Sequence, residues 1–189
     1  DISGASGVPD GKISAAYDKV DLGSAQPLFT AAFSNTLTFK GFDLHFSFQG
    51  VYGNKIFNAL RQQLEIPSLA ANVSSELANY WTSTNTNTDI PRAANSPAAV
   101  VSDRTVEDGS FVRLKTLTLG YTIPKVVSEK LKLSNVKIYV SGTNLLTWTK
   151  YSGFDPEISS YEQSNLYPGV DYGAYPNART ITAGLNISF

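Results

Sequence analysis

The sequence predicts an all-β protein: antiparallel strands of the kind that form the wall of a transmembrane β-barrel. Three observations carry that expectation. The first is strict period-two alternation, clearest at the end of the chain. There Ile181, Ala183, Leu185, Ile187 and Phe189 share one face, and Thr180, Thr182, Gly184, Asn186 and Ser188 the other. The second is composition: 12% of residues are aromatic and only 16% charged, a balance that favours strands with an aromatic-bearing apolar face. The third is that short and long connections alternate along the chain, as in outer-membrane barrels with short periplasmic turns and long surface loops.

Composition also excludes functions. The 189 residues carry a formal net charge of -1, which leaves no basic excess to hold nucleic acid. With no Cys, the chain forms no disulfide and no Cys-ligated metal site. Its one histidine, His45, cannot build a multi-His zinc site. No metal or cofactor is expected. No apolar run approaches the ~20 residues of a membrane-spanning helix, and the mean hydropathy of -0.13 does not bear on a barrel, whose alternating strands average out. The chain has no Met, even at position 1, and opens on the polar Asp1-Ile2-Ser3-Gly4-Ala5-Ser6-Gly7. It therefore reads as a processed or internal piece without a signal peptide.

Residues 1–27 have loop character, punctuated by Gly4, Gly7, Pro9, Gly11, Gly23 and Pro27. A first strand is expected over Phe29–Phe39, with Ala31, Phe33, Asn35, Leu37 and Phe39 on one face and Thr30, Ala32, Ser34, Thr36 and Thr38 on the other. Lys40-Gly41 reads as a two-residue turn. The returning strand, Phe42–Tyr52, puts Phe42, Leu44, Phe46, Phe48 and Tyr52 on one face and Asp43, His45, Ser47 and Gln49 on the other. A sandwich would bury that apolar face on a second sheet, whereas a barrel would turn it to lipid and leave the polar face to a wet lumen.

A long excursion spans Gly53–Gly109. Ile56, Leu60 and Leu64 at spacing four predict a helix over Asn54–Glu65. A second is expected over Asn72–Trp81, capped by Asn72 or Ser74 with Glu76 in its first turn. Thr82–Asp103 is polar and Pro-broken. Strands resume over Phe111–Ile123, ended by Pro124, and Val136–Thr149, with Lys125–Asn135 as a short charged turn. Tyr151–Pro176 is a second long loop before the closing strand. Five such strands, each long enough for the ~9–11 residues of a tilted bilayer crossing, do not close a barrel. The chain is therefore expected to be the end of a larger one.

Several stretches carry a family likeness. Phe42-Asp43-Leu44 with Phe48-Gln49-Gly50 and Tyr52-Gly53-Asn54 is one, and Trp81-Thr82 followed by Asn85 to Arg92 is another. The most specific runs from Asp108-Gly109-Ser110-Phe111 to Tyr121-Thr122-Ile123-Pro124. It continues through Val136 to Trp148 and Tyr151-Ser152-Gly153-Phe154-Asp155-Pro156-Glu157, with Tyr175-Pro176 and Arg179-Thr180 before the last strand. Together they resemble the SusC/RagA family of TonB-dependent outer-membrane transporters, over essentially the whole chain and in order.

The resemblance implies that residues 1–189 are the C-terminal part of a barrel of about 22 strands, with plug, TonB box and N-terminal strands elsewhere. The location it implies is the outer membrane of a Gram-negative, Bacteroidetes-like bacterium. It further implies TonB-dependent import of oligosaccharides or peptides alongside a SusD-like surface lipoprotein. The implied partners are the rest of the barrel and its plug, that lipoprotein, the TonB complex, the barrel assembly machinery and outer-membrane lipid. A secreted soluble β-sandwich that binds carbohydrate is the alternative. The family's acidic stretch near Asp10-Gly11-Lys12-Ile13 resembles half of a calcium loop, but Ser6, Gly7, Val8 and Pro9 supply too few ligands, so a plain turn is expected.

The candidate site residues fall into three groups. Asp43, His45, Ser47 and Gln49 are expected to line the lumen. His45 and Ser47 share a face, but no oxyanion motif accompanies them, so a solvated wall is preferred to a hydrolase and no catalytic residue is expected. Trp81, Tyr161, Tyr167, Tyr172 and Tyr175 lie in long loops, where their rings can stack on sugars, meet a lipoprotein lid, or pack loops together. Phe189 is expected to act as an assembly signal or a girdle residue. Asp155-Pro156-Glu157 reads as a turn rather than a glycosidase acid pair. Trp148 and Tyr151 are expected in the aromatic belt.

Overall fold

The computed structural model describes residues 3–11, 14, 16–66, 72–92, 101–130, 132–158 and 168–189. In chain order its elements are β1 (Phe29–Phe39), β2 (Phe42–Tyr52), β3 (Lys55–Asn58), α1 (Ala59–Leu64), a 3-10 helix (Ser75–Asn79), β4 (Val106–Asp108), β5 (Phe111–Thr122), α2 (Lys125–Lys130), β6 (Asn135–Thr149), β7 (Val170–Asp171) and β8 (Thr180–Ser188). Five of the strands form one sheet in the order β1-β2-β5-β6-β8, and the other three a small sheet, β4-β3-β7.

The large sheet is antiparallel throughout, and its strands follow the alternation that predicts them. Lys40 and Gly41 both take positive φ, 48° and 87°, as a tight hairpin turn requires. That turn pins the register at Phe39 opposite Phe42. Leu37, Leu44, Leu119, Val140 and Ala183 then stand side by side on one face, and Thr36, His45, Thr118, Ser141 and Thr182 in the next row on the other. Eleven residues in β1 and β2 at ~3.4 Å each, tilted by ~45°, cover roughly 26 Å, close to the ~25 Å apolar band of an outer-membrane barrel.

One irregularity interrupts the wall. Pairing of β5 jumps from Leu114 to Thr116, so Lys115 is an extra residue, and β6 answers with a step from Leu146 to Thr143. Asn144 absorbs the step at φ 51°. Such bulges re-aim side chains, and this one aims Arg113 and Lys115 at the same loop carboxylate.

The sheet is a single layer. Phe33, Leu37, Phe39, Leu119, Ile138, Val140, Leu146 and Leu185 on its apolar face are all exposed, and Ile181 reaches 71%. Among the described residues the small sheet pairs with none of the wall strands. Most of the buried apolar side chains gather instead at the end of the long loops, Ile56, Ala59, Ile90, Phe111 and Tyr151, with Leu114 in β5 and Val136 near the start of β6 buried outside that group. A sandwich would show the reverse, a covered apolar face.

The structure departs from the sequence reading in the connections. The helix expected over Asn54–Glu65 starts only at Ala59, because Lys55–Asn58 pairs with β4 and, in parallel, with β7. Asn58 then caps α1, its side chain accepting from Arg61 N at 2.8 Å. The second helix is a single 3-10 segment, with Ser74 as its cap and Glu76 in its first turn. Lys125–Lys130 is a short helix rather than a turn, started by Pro124, whose carbonyl accepts from Val127 N and Ser128 N. Asp10 and Gly11 lie in the N-terminal loop, while Lys12 and Ile13 fall outside the described residues. The nearby Asp18 carboxylate accepts from Ser3 N (3.2 Å) and Ser14 N (2.6 Å).

Candidate functional site

The polar face of the wall is a ladder of small hydroxyl side chains joined across strands. Thr36 Oγ1 lies 3.0 Å from His45 Nδ1, and Thr118 Oγ1 lies 2.7 Å from Ser141 Oγ. Lys137 Nζ reaches Asp43 at 2.8 Å. It passes Gly120, where a Cβ would collide with both partners. Tyr139 lies across β8 in the same way, over Gly184. Two glycines thus open room for two long side chains to lie flat along the wall.

Towards the long loops the same face carries a buried cation. Arg113 is only 2% exposed. Its Nε donates to Thr147 Oγ1 at 3.0 Å and its Nη1 to Glu157 Oε2 at 2.8 Å, while Nη2 pairs with Asp155 Oδ1. Lys115 Nζ adds a second cation 3.1 Å from Glu157. The other Asp155 oxygen accepts from Asn177 N (3.0 Å) and Nδ2 (3.2 Å). One guanidinium therefore fastens the stretch around Asp155 and, through it, the stretch around Asn177 to the wall. Arg113 also lies 5.4 Å from the centre of the Phe111 ring, a cation–π distance. Burial acts to raise the Asp155 carboxyl, but the Arg113 bond and the backbone N–H groups of Asn177 and Glu157 outweigh it and hold it below the usual carboxylate range. Both carboxylates serve one guanidinium, an arrangement for anchoring a loop.

Next to this clamp the loops tie to one another. Glu107 accepts from Ser152 N (2.8 Å), Ser152 Oγ (2.7 Å), Asn58 Nδ2 (3.2 Å) and Arg61 Nη1 (3.4 Å). Glu65 pairs with Arg104 and, at 2.8 Å, with Arg61. Burial opposes the Arg61 charge, but Glu65 and Glu107 raise its pKa on balance. Tyr151 donates to Asp171 at 2.6 Å. Burial first, and then the Asp171 carboxylate, push its hydroxyl far above the ordinary tyrosine range. Tyr151 is thus no belt residue: past Thr149 the chain turns away from the apolar face and buries the ring. Trp148 stays on that face, 6.4 Å from Phe48. A recess of about 480 Å³ opens between α1, the 3-10 helix and the 152–154 turn, with Leu60, Arg61, Glu76, Asp89, Ile90 and Phe154 in its walls. Ligand pockets of ~300–1,000 Å³ are typical.

Asp43, His45, Ser47 and Gln49 stand on the polar face, in register with Gly120, Thr118, Thr116 and Arg113. Trp81, at the end of the 3-10 helix, has its backbone N–H bonded to Ile90 O at 3.0 Å, while Tyr172 and Tyr175 lie near the start of β8. These three aromatics are exposed, Tyr175 at 94%, and none lines the recess. Tyr161 and Tyr167 lie outside the described residues. Phe189 follows β8 and is 95% exposed. The sequence reading did not single out Arg113. Its signal is a lone Arg at a polar-face position of β5, with the Asp155/Glu157 pair downstream that reads as a turn.

No family model matches the chain. It is 46% identical, over 95% of its length, to TonB-dependent receptor P3 of Formosa agariphila. It is also 27% identical, over 82% of its length, to TonB-dependent receptor SusC of Bacteroides thetaiotaomicron. It spans 18% and 14% of those two relatives. Among solved structures it is similar to the RagAB peptide transporter, with a TM-score of 0.81 at 32% identity, covering all of this chain and 20% of that one.

Proposed function

We propose that this chain, which belongs to the SusC/RagA family of TonB-dependent outer-membrane receptors, forms barrel wall and surface loops of an importer for oligosaccharides or peptides. The observation that carries the reading is the two-faced single-layer wall, apolar and exposed on one side and hydroxyl-lined on the other. An apolar face of this length suits lipid, and a polar one suits a hydrated lumen. In this reading the rest of the barrel continues from the free edges of β1 and β8, a plug fills the lumen, and a TonB complex drives transport. The tight turns lie on the periplasmic side. Asp43, His45, Ser47 and Gln49 line the lumen, and a SusD-like lipoprotein covers the loop end.

Trp81, Tyr161, Tyr167, Tyr172 and Tyr175 are the candidate contacts to cargo or lipoprotein. Similarity to RagAB, a peptide transporter, favours peptides, and similarity to SusC leaves oligosaccharides in the set. The test is growth of a strain deleted for the full receptor on a panel of oligosaccharides and of peptides as sole nutrient. Loss of growth on one class, restored by the receptor only when TonB is functional, is the expected result. Unchanged growth on every member of both classes contradicts it.

A further inference from the structure

We propose that the rim of the wall on the side of its short connections is a seat for anionic phospholipid headgroups. The inference rests on the reading of the apolar face as lipid-facing and adds a specificity to it.

Four lysines gather on this rim. Lys40 sits in the β1–β2 turn, Lys125 and Lys130 on α2, and Lys132 just beyond it. All four are exposed, and among the described residues none pairs with a carboxylate. Arg61, Arg104, Arg113, Lys115 and Lys137 do pair, while among the described residues Lys55, Lys150 and Arg179 near the long loops do not, so it is the clustering of four that sets this rim apart. The turn and the end of β5 are joined, because Thr122 N donates to Gly41 O at 2.8 Å. Lys40 and Lys125 therefore share one rim. Including Lys137, this end carries five lysines against two side-chain carboxylates, Asp43 and Glu129, in a chain whose formal net charge is -1.

The cations sit beside exposed apolar groups. Phe39 is 70% exposed and Phe42 51%. Phe42 meets the Tyr121 ring at a tilt with ring centres 4.5 Å apart, and Lys40 Nζ lies 5.2 Å from the centre of the Phe39 ring. On α2, Val126 and Val127 are exposed while Ser128 faces inward, its Oγ donating to Lys125 O at 3.1 Å. Aromatic rings with ammonium groups beside them, at the limit of an apolar band, match the level of lipid headgroups. A phosphate there lies well within the ~8 Å screening length of physiological salt. A lipid with net negative charge gains from this field, whereas a zwitterionic one gains far less.

The test uses the full-length receptor in nanodiscs of equal parts phosphatidylglycerol and phosphatidylethanolamine, with retained lipids counted by native mass spectrometry. The variant K40N/K125Q/K130Q/K132N removes the four charges, with Asn placed at the two positive-φ positions, Lys40 and Lys132. Wild type should retain phosphatidylglycerol preferentially. At roughly five-fold per surface lysine, and less when several act together, the variant should lose about ten-fold or more of that preference. K125Q/K130Q, confined to the exposed α2, should give a smaller loss in the same direction. Equal preference in wild type and variants overturns the proposal. So does full displacement by soluble glycerol phosphate, which would identify a phosphate site rather than a lipid seat. Failure of the wild-type receptor to enter any nanodisc would instead overturn the lipid-facing reading beneath it.

Discussion

The two ends of this wall use charge differently. At the loop end, Arg61, Arg104, Arg113 and Lys115 each meet a carboxylate, and Arg113 meets two. At the turn end Lys137 meets Asp43, but Lys40, Lys125, Lys130 and Lys132 stand exposed beside aromatic and aliphatic groups. The difference follows from the backbone each end must hold. Long irregular segments carry polar groups that no ladder satisfies, so charged side chains fold inward to bind them. The short turns satisfy their own backbone, which leaves their cations free to face outward.

The largest way to break this contrast is Arg113→Ala. It strands the buried Asp155 carboxylate, leaves Glu157 to Lys115 alone, and should cost the loop end about 3–5 kcal/mol. In the full receptor, hydrogen exchange should accelerate around residues 151–158 and 174–178 while β1 and β2 stay protected. Arg113→Lys keeps a charge but loses the planar fork, so an intermediate effect is expected. Uniform acceleration along the wall would show that the clamp is not local.

Acid should reproduce the same failure. The Asp155 carboxyl is depressed below its ordinary value of 3.8. Its contribution is therefore complete above that value and is lost as pH falls through it towards the lower folded value. Exchange at Asn177 and Glu157 should rise over that window, ahead of any change at the β1–β2 turn. Neutralising Asp155 by Asp155→Asn should remove this pH step.

Smaller effects belong to the wall between the ends. Gly184→Ala puts a Cβ into the Tyr139 ring and should cost about 1–3 kcal/mol of thermal stability. Adding Tyr139→Ala in the same protein should relieve the clash and recover part of the loss. Thr118→Val removes the bond to Ser141 and should cost about 1 kcal/mol. A cost as large as that of Arg113→Ala would mean that the wall, not the loop end, holds the charged network in place.

How much of this was legible in the sequence differs between the same regions. The wall strands were readable because large apolar and small polar residues alternate along most of each, from Phe29–Phe39 to Thr180–Ser188. The small sheet was not, since β3, β4 and β7 have four, three and two residues, too few to display a period. Ile56, Leu60 and Leu64 do recur at helical spacing, but Ile56 is captured by pairing with Glu107, a tertiary contact that outweighs local pattern. The clamp was half visible. The Asp155-Pro156-Glu157 pair stood out, but the bulge at Lys115 that aims two cations at Glu157 depends on cross-strand register, which no single segment encodes.

The central claim is that one face of the wall meets lipid and the other a hydrated lumen. Spin labels on single cysteines, placed in the full-length receptor in a bilayer at successive positions 33–39 and 181–187, test it most directly. Oxygen and a water-soluble nickel chelate are the two collision partners. The account predicts a period-two pattern in both strands: Phe33, Leu37, Phe39, Ile181, Leu185 and Ile187 favour oxygen, and Ser34, Thr36, Thr38, Thr182 and Asn186 favour nickel. Nickel access at Leu37, Ile181 and Leu185 equal to that at Thr36 and Thr182 would contradict it.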